Sequence, residues 1–190
     1  MKFSQDWFSH NIPNFKFIKT ILPIRHFVLE IGCFEGKASC WLLENFLDDE
    51  GILVCVDTFQ GSAEHAGMEL GDLYSVWKEN TDWSKASGQT CTAYHGRSYD
   101  MLANLITDQG YLFDFIYIDG SHTAPDVLTD ACMAFGLLRS GGVMLFDDYL
   151  WNDMPGLKNR PKIAVDAFTA IFADKASIVL IGYQLAIIKH

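Results

Sequence analysis

Apolar and polar positions alternate along the chain in a pattern that predicts strands separated by helices. Near-continuous apolar runs, typical of strands buried on both faces, occur at residues 27–31, 52–56, 90–94, 113–118, 142–146, 177–181 and 184–188. Apolar residues with helical spacing occur near residues 37–48, 98–107, 124–138 and 161–173. This order predicts an α/β fold in a single domain, residues 1–190, whose mostly parallel sheet is covered by helices on both faces.

Glycines mark two boundaries in the C-terminal half. Gly141 and Gly142 follow the third predicted helix and predict its end and the start of the next strand. Only Gly182 and Tyr183 separate the last two apolar runs. Because so short a connection joins antiparallel strands, we expect the sheet to end in an antiparallel hairpin.

Two segments do not follow the alternation of strand and helix. Residues 1–26 are rich in aromatic side chains, and we expect them to form a cap of one or two short helices over the edge of the sheet. Residues 58–89 form a long connection for a compact domain. They are interpreted either as a helix anchored on the sheet by Trp77 and Trp83 or as a lid over a binding site.

Charge and cysteine content exclude several classes of protein. A net charge of −10 opposes non-specific binding to nucleic acid or to anionic membranes. The five cysteines are odd in number and lack C-x-x-C spacing, so neither a disulfide framework nor a zinc site is predicted. No signal peptide or membrane-spanning run is visible, and we expect a cytoplasmic protein that binds neither nucleic acid nor membrane. The aromatic N-terminal segment is compatible with a homodimer.

The first apolar run ends in an acid and two glycines, Glu30, Gly32 and Gly36. This pattern predicts a buried strand followed by a glycine turn that opens a helix, where backbone approaches a small ligand closely. Dinucleotide-binding turns usually read G-x-G-x-x-G and bind phosphate, which an acid would repel. The turn therefore favours a cationic or amine-bearing ligand, with Glu30 accepting a hydrogen bond from its amino group. The alternative is an acid that only caps the helix.

Further candidate binding residues follow the second and third apolar runs. Asp57, about twenty residues beyond the glycine turn, is suited to accept hydrogen bonds from two ribose hydroxyls, or else simply starts a loop. Thr58 or Phe59 is a candidate to line an adenine. Ser98 is expected to cap the helix that begins there.

Three carboxylates follow two further strands. Asp119 ends the fourth run, and Asp147 and Asp148 end the fifth. In an open α/β sheet these positions converge beyond the carboxyl ends of the strands. Adjacent carboxylates repel each other unless a cation relieves them, so the three side chains predict a site for Mg²⁺ or a similar hard cation. The alternative is a solvated acidic loop.

His122 lies three residues beyond Asp119. Of the six histidines in the chain, it is the one to which the sequence assigns a role. An imidazole accepts a proton near neutral pH, so His122 is a candidate catalytic residue, either as the base for a substrate hydroxyl or as a group that orients Asp119. A histidine satisfied by backbone contacts is the alternative.

The glycine turn resembles the first motif of class I S-adenosylmethionine-dependent methyltransferases. The segments Ile-Asp-Gly-Ser-His at 118–122, Leu-Arg-Ser-Gly-Gly at 138–142 and Asp-Asp-Tyr at 147–149 make the resemblance more specific. They are similar to a small family related to macrocin- and aminocoumarin-type sugar O-methyltransferases and, beyond those, to catechol-type O-methyltransferases. The resemblance covers roughly residues 7–188.

The resemblance implies a three-layer Rossmann-like fold with six parallel strands and one antiparallel C-terminal strand. It implies S-adenosylmethionine as cofactor and transfer of its methyl group to a sugar or phenolic hydroxyl. Residues at the cofactor-binding positions of these relatives are Glu30, Gly32, Asp57 and Ser98, and Gly36, Thr58, Phe59 and Asp119 complete the predicted cofactor site. Asp119, Asp147 and Asp148 match the metal ligands.

Two positions depart from the catechol-type pattern, which has Asn at the position of Asp148 and a basic Lys at that of His122. The paired aspartates do occur in the sugar-type relatives. The identity of the general base, Asp119 or His122, therefore stays open.

Three alternatives remain beside metal-assisted O-methylation. The first is a metal-free methyltransferase that uses His122 as base. The second is a protein that binds S-adenosylmethionine without catalysis. A nicotinamide enzyme is the least favoured, because the turn lacks G-x-G-x-x-G.

Overall fold

The computed structural model describes residues 1–62, 65, 67, 69–107 and 112–190. Within these residues seven strands form one sheet in the order β3-β2-β1-β4-β5-β7-β6. The strands are β1 (Phe27–Ile31), β2 (Ile52–Asp57), β3 (Thr90–His95), β4 (Phe113–Ile118), β5 (Leu138–Phe146), β6 (Ala176–Ile181) and β7 (Leu185–Lys189). All pairs from β3 to β5 are parallel, and β7 runs antiparallel to both β5 and β6. The predicted mostly parallel sheet with a C-terminal antiparallel strand is confirmed.

Helices cover both faces of the sheet and form three layers with it. The helices are α1 (Ile12–Ile21), α2 (Lys37–Trp41), α3 (Leu73–Ser84), α4 (Ser98–Thr107), α5 (Ala124–Leu137) and α6 (Pro161–Ile171). One buried cluster joins the sheet to α4, α5 and α6, and a second joins its other face to α1, α2 and α3. Successive strand residues alternate between them, since Phe115 and Tyr117 belong to the second cluster and Ile116 and Ile118 to the first.

Two elements differ from the sequence-based prediction by more than two residues. The predicted helix 37–48 is α only to Trp41, and a π-helical turn, Leu42–Phe46, follows it. Gly141 and Gly142 lie inside β5 rather than before it. They occupy an irregularity in the β4–β5 pairing, where a side chain on Gly142 would lie 3.0 Å from the carbonyl oxygen of Asp114. Gly142 permits this close backbone approach and Gly141 supplies a left-handed φ of +75°, instead of ending a helix.

The N-terminal cap lies on a face of the sheet rather than over its edge, so that part of the prediction is wrong. The ring of Phe15 in α1 packs 5.9 Å from Phe115 and 5.0 Å from Tyr117 of the central strand β4. Burial explains the position, because Phe15 and Ile18 are fully buried there. An edge position would leave part of their apolar surface in water.

The segment 58–89 contains a docked helix, α3. Trp77 is buried and its indole nitrogen donates to the Ser39 hydroxyl over 3.2 Å, so it anchors α3 on α2. Trp83 is 78% exposed and is not the anchor that the sequence suggested. Residues 63, 64, 66 and 68 of this segment lie outside the described part of the chain. No helix in the described residues is long and apolar enough to cross a membrane.

Candidate functional site

A cavity of about 1050 Å³ opens at the carboxyl ends of the parallel strands. The loops after β1, β2, β4 and β5 all contribute to its lining, together with the N-terminal segment. Its size is at the upper end of the usual range for small-molecule sites, roughly 300–1,000 Å³. The cavity has room for a nucleoside-sized ligand and a second, smaller one.

The glycine turn after β1 is held against the protein itself. Gly32 has φ +87°, and a Cβ there would lie 1.9 Å from the carbonyl oxygen of Asp119. Gly36 has φ +83°, and a Cβ there would lie 2.8 Å from the ring of Trp77. The sequence analysis expected these glycines to let the backbone approach a ligand. In the structure they let it approach Asp119 and Trp77.

Asp57 fastens this turn from the neighbouring strand. One carboxylate oxygen accepts hydrogen bonds from the backbone N–H groups of Cys33 and Phe34, at 2.5 and 2.9 Å. The other oxygen accepts from the N–H of Phe59 at 2.6 Å. A carboxylate has about four acceptor positions, so one remains for a ligand in the cavity that Asp57 lines.

Glu30 lies beneath the turn and is fully buried. One carboxylate oxygen accepts a hydrogen bond from the hydroxyl of Ser39 at 2.5 Å, and the other has no hydrogen-bond partner among the described residues. Burial raises the pKa of Glu30 to about 7, although the Ser39 hydrogen bond opposes the shift. Because Glu30 lines the cavity, its free oxygen is a candidate acceptor for a cationic ligand group.

Of the other residues predicted to bind the cofactor, Thr58 and Ser98 line the cavity and Phe59 does not. The ring of Phe59 is buried among other aromatic rings, 5.6 Å from Trp77 and 5.3 Å from His95. Ser98 is the first residue of α4 and lies close to the carboxylate of Asp130. Burial raises the pKa of Asp130 to about 7.

Asp119 and Asp147 are joined by a buried tyrosine that sequence reasoning missed. The hydroxyl of Tyr117 donates to Asp119 over 2.9 Å and also contacts Asp147. Asp147 further accepts from the side chain of Asn11 at 2.9 Å and from the N–H of Asp148 at 2.8 Å. These contacts orient Asp147 from the N-terminal segment, far away in sequence.

Electrostatic repulsion perturbs this carboxylate group. Burial, followed by the charges of Asp147 and Asp148, raises the pKa of Asp119 well above its usual value. Burial and the charge of Asp148 likewise raise the pKa of Asp147 to about 6. Buried like charges of this kind are relieved by a cation.

His122 pairs with the third carboxylate. Its Nε2 atom lies 2.8 Å from a carboxylate oxygen of Asp148. Burial by itself would raise the pKa of Asp148. The hydrogen bond and the charge of His122 outweigh this effect, so the pKa of Asp148 is lowered. Asp119, His122 and Asp148 each offer a ligand atom, and these atoms lie within 4.8 Å of one another. The predicted site residues of the fourth and fifth strands are therefore brought together.

Three residues other than glycine adopt left-handed backbone conformations at this edge of the sheet. Phe34, Phe59 and Asp148 have φ of 47°, 51° and 52°. Such conformations cost free energy, of order 1–3 kcal/mol each, and cluster at functional sites. They follow β1, β2 and β5, three of the strands whose loops line the cavity.

The sequence contained a weak signal for Tyr117 and none for Asn11. Tyr117 lies near the end of β4, two residues before Asp119, and this spacing places both side chains on one side of the sheet. Asn11 lies 136 positions from Asp147, and only folding joins them.

Comparison with known proteins agrees with this geometry. A family model described as "Methyltransferase domain" matches residues 29–149. No curated protein matches the chain significantly.

Solved structures with the same fold cover nearly the whole chain. An O-methyltransferase from Bacillus cereus in complex with SAH has TM-score 0.71 and 20% identity, covering 98% of this chain and 84% of its own. The O-methyltransferase TomG from Streptomyces achromogenes, involved in tomaymycin synthesis and solved with SAM, has TM-score 0.65 and 21% identity, covering 94% and 80%. A putative rRNA-methylase from Clostridium thermocellum has TM-score 0.67 and 14% identity, covering 95% and 97%.

Fold and site together define a class I S-adenosylmethionine-dependent methyltransferase. The chain belongs to the methyltransferase domain family, whose model spans β1 to the loop after β5. The resemblance noted in the sequence is confirmed.

Proposed function

We propose that this protein transfers a methyl group from S-adenosylmethionine to a hydroxyl group of a small molecule, with the help of a divalent cation. The observation that carries the proposal is the convergence of Asp119, Asp147, Asp148 and His122 on the cavity that the glycine turn borders. Neighbours titled O-methyltransferase support the choice of oxygen as acceptor.

The described residues fit S-adenosylmethionine. Its sulfonium and ammonium groups are cationic, and the buried Glu30 offers an oxygen without a hydrogen-bond partner among the described residues. Asp57 retains one acceptor position for a ribose hydroxyl, and Thr58 and Ser98 also line the cavity. When bound, the cofactor supplies a methyl group already activated for transfer, so the protein mainly positions the acceptor in line with it.

The carboxylates fit a hard divalent cation. Oxygen ligands from Asp119 and Asp148 lie close together with His122, and Asp147 lies beside them. Their mutual repulsion is the physical reason that a cation would be bound here. A bound Mg²⁺ would favour ionisation of an acceptor hydroxyl.

The side chains then divide the remaining work. Tyr117 holds Asp119 and Asp147 in place, and Asp148 orients the imidazole of His122. Asp119 or His122 accepts the proton of the hydroxyl.

A binding and turnover experiment tests the proposal. S-adenosylhomocysteine is expected to raise the melting temperature and NAD is not. Methyl transfer from labelled S-adenosylmethionine to sugar and phenolic hydroxyls is expected to stop in excess EDTA and to return with Mg²⁺, while affinity for S-adenosylhomocysteine stays nearly unchanged. Full turnover in EDTA would remove the metal from the proposal.

The pairing of His122 with Asp148 supports a second candidate, a metal-free methyltransferase. An imidazole oriented by a carboxylate is an established arrangement for a general base. Under this candidate, turnover survives EDTA and is lost in His122→Ala. Under the metal-assisted one, EDTA alone abolishes it.

A further inference from the structure

Aromatic rings wall the part of the cavity beyond the carboxylates. The ring of Trp151 lies 4.6 Å from that of His122, and burial together with the nearby carboxylate of Asp148 raises the pKa of the Tyr183 hydroxyl. Tyr183 is 42% exposed, so part of its ring is available to a ligand. Flat apolar rings with polar edges suit the rings of sugars and phenols.

The fixed charges on this side of the cavity are negative. Asp153 lines the cavity together with Asp147 and Asp148, and Trp151 and Met154 flank Asp153 in the same lining. A divalent cation at the carboxylates would offset two of the three charges of Asp119, Asp147 and Asp148. The field from the remaining charge and from Asp153 is therefore still negative.

Lysine and arginine do not offset these charges. The described lining of the cavity includes one lysine, Lys37, and one arginine, Arg97. Both lie beside the loops that are proposed to bind the cofactor. Lys37 is paired with Asp6 at 2.8 Å, and Arg97 directly precedes α4. Residues 63, 64, 66, 68 and 108–111, outside the described part, include neither lysine nor arginine. Lys158 and Arg160 follow the site in sequence but do not belong to the described lining.

We infer that the methyl acceptor is a ring compound that is neutral or cationic, and that Asp153 is a specificity-determining residue that disfavours acceptors bearing phosphate or carboxylate. The inference rests on the proposed function, because it concerns the acceptor of that reaction. Repulsion between like charges at a binding site is an established means of rejecting the wrong partner.

Binding to matched probes tests the inference without requiring turnover. The protein is first saturated with S-adenosylhomocysteine and Mg²⁺, and failure of this step counts against the proposed function alone. Two series of compounds are then titrated by calorimetry at about pH 8, where an ordinary histidine is neutral. The first is dopamine, 4-methylcatechol and 3,4-dihydroxyphenylacetate; the second is 2-aminoethyl glucoside, methyl glucoside and glucuronate.

In at least one series, the cationic and neutral members are expected to bind about tenfold or more tightly than the anionic member. Asp153→Asn is expected to reduce the ratio of neutral-ligand to anionic-ligand affinity by about threefold. The effect is modest because solvent partly screens the exposed charge of Asp153. The matched control is Asp174→Asn, an exposed aspartate after α6 that does not belong to the described lining. It makes the same change in net charge and is expected to leave the ratio unaltered.

Each other outcome overturns a stated part of the inference. Anionic members that bind as tightly as the neutral ones would refute the charge preference. Equal effects of the two asparagine variants would refute the role of Asp153, since net charge alone would then explain the change. Absence of binding in both series, with S-adenosylhomocysteine bound, would refute recognition of a ring by this wall.

Discussion

Substitution of Gly32 by alanine should disrupt the link between the glycine turn and the acidic site. The new methyl group would lie 1.9 Å from the carbonyl oxygen of Asp119, and 2.4 Å from its carbonyl carbon. These are backbone atoms of the loop after β4, so no flexible side chain can move aside. Relief requires a shift of the turn, of Asp119 or of both.

The expected destabilisation follows from two contributions. The left-handed φ of +87° costs an alanine roughly 1–2 kcal/mol. Overpacking against the backbone costs roughly 1–3 kcal/mol more. The free energy of unfolding should therefore fall by about 2–5 kcal/mol, out of the roughly 5–15 kcal/mol that stabilises a typical domain.

Urea unfolding measures the loss of stability, and calorimetry measures affinity for S-adenosylhomocysteine and Mn²⁺. Both affinities are expected to fall, because Gly32 borders the cofactor cavity and the added methyl group would displace Asp119. The matched control is Gly136→Ala in α5, where a Cβ would meet nothing within 4 Å. Since alanine is the better helix former, this control should gain about 0.5–1 kcal/mol.

A Gly32→Ala protein that is as stable as the parent, and that binds both ligands normally, would refute the reasoning. It would mean that the turn and the loop of Asp119 are not in the contact described. A loss of stability with intact Mn²⁺ affinity would refute only the coupling to the acidic site.

Two further predictions concern buried polar groups. Tyr117→Phe removes the hydroxyl that contacts both Asp119 and Asp147, so the free energy of unfolding in urea should fall by about 1–3 kcal/mol. Mn²⁺ affinity and methyl transfer should both decrease. An unchanged Mn²⁺ affinity would contradict the positioning role of Tyr117. Folding raises the pKa of Glu30 from 4.5 to about 7, so between these pH values the folded state holds a proton that the unfolded state has lost. The free energy of unfolding should therefore fall as the pH rises through this range, by about 3 kcal/mol in total. Urea unfolding across this range should show the fall in the parent and its loss in Glu30→Gln; the same slope in both proteins would assign the pH dependence to other groups.

The sheet and most of its helices were predictable because buried parallel strands require near-continuous apolar runs. The fourth run, 113–118, coincides with β4, and the predicted helix 98–107 coincides with α4. Predictions failed where a residue has more than one structural use. Gly141 and Gly142 have the composition of a helix end, yet inside β5 Gly142 permits a close backbone contact and Gly141 a left-handed φ of +75°.

The candidate site was predictable to the extent that it depends on the ends of strands. Asp57, Asp119, Asp147 and Asp148 each follow a strand, so a parallel sheet carries them to one edge. The contacts that orient them were not predictable. Tyr117 lies in an apolar run, and nothing in that run distinguishes a core tyrosine from one whose hydroxyl bridges two carboxylates.

The sequence alone determined the order of strands and helices, the hairpin at the end of the chain and the set of acids at the strand ends, because periodicity and short connections are local properties. Only the tertiary structure decided that α1 lies on the face of the sheet, that Asn11 contacts Asp147 and that Gly32 lies against Asp119. These contacts join residues far apart in sequence, and their geometry depends on how the layers pack. Local patterns carry no information about such distances.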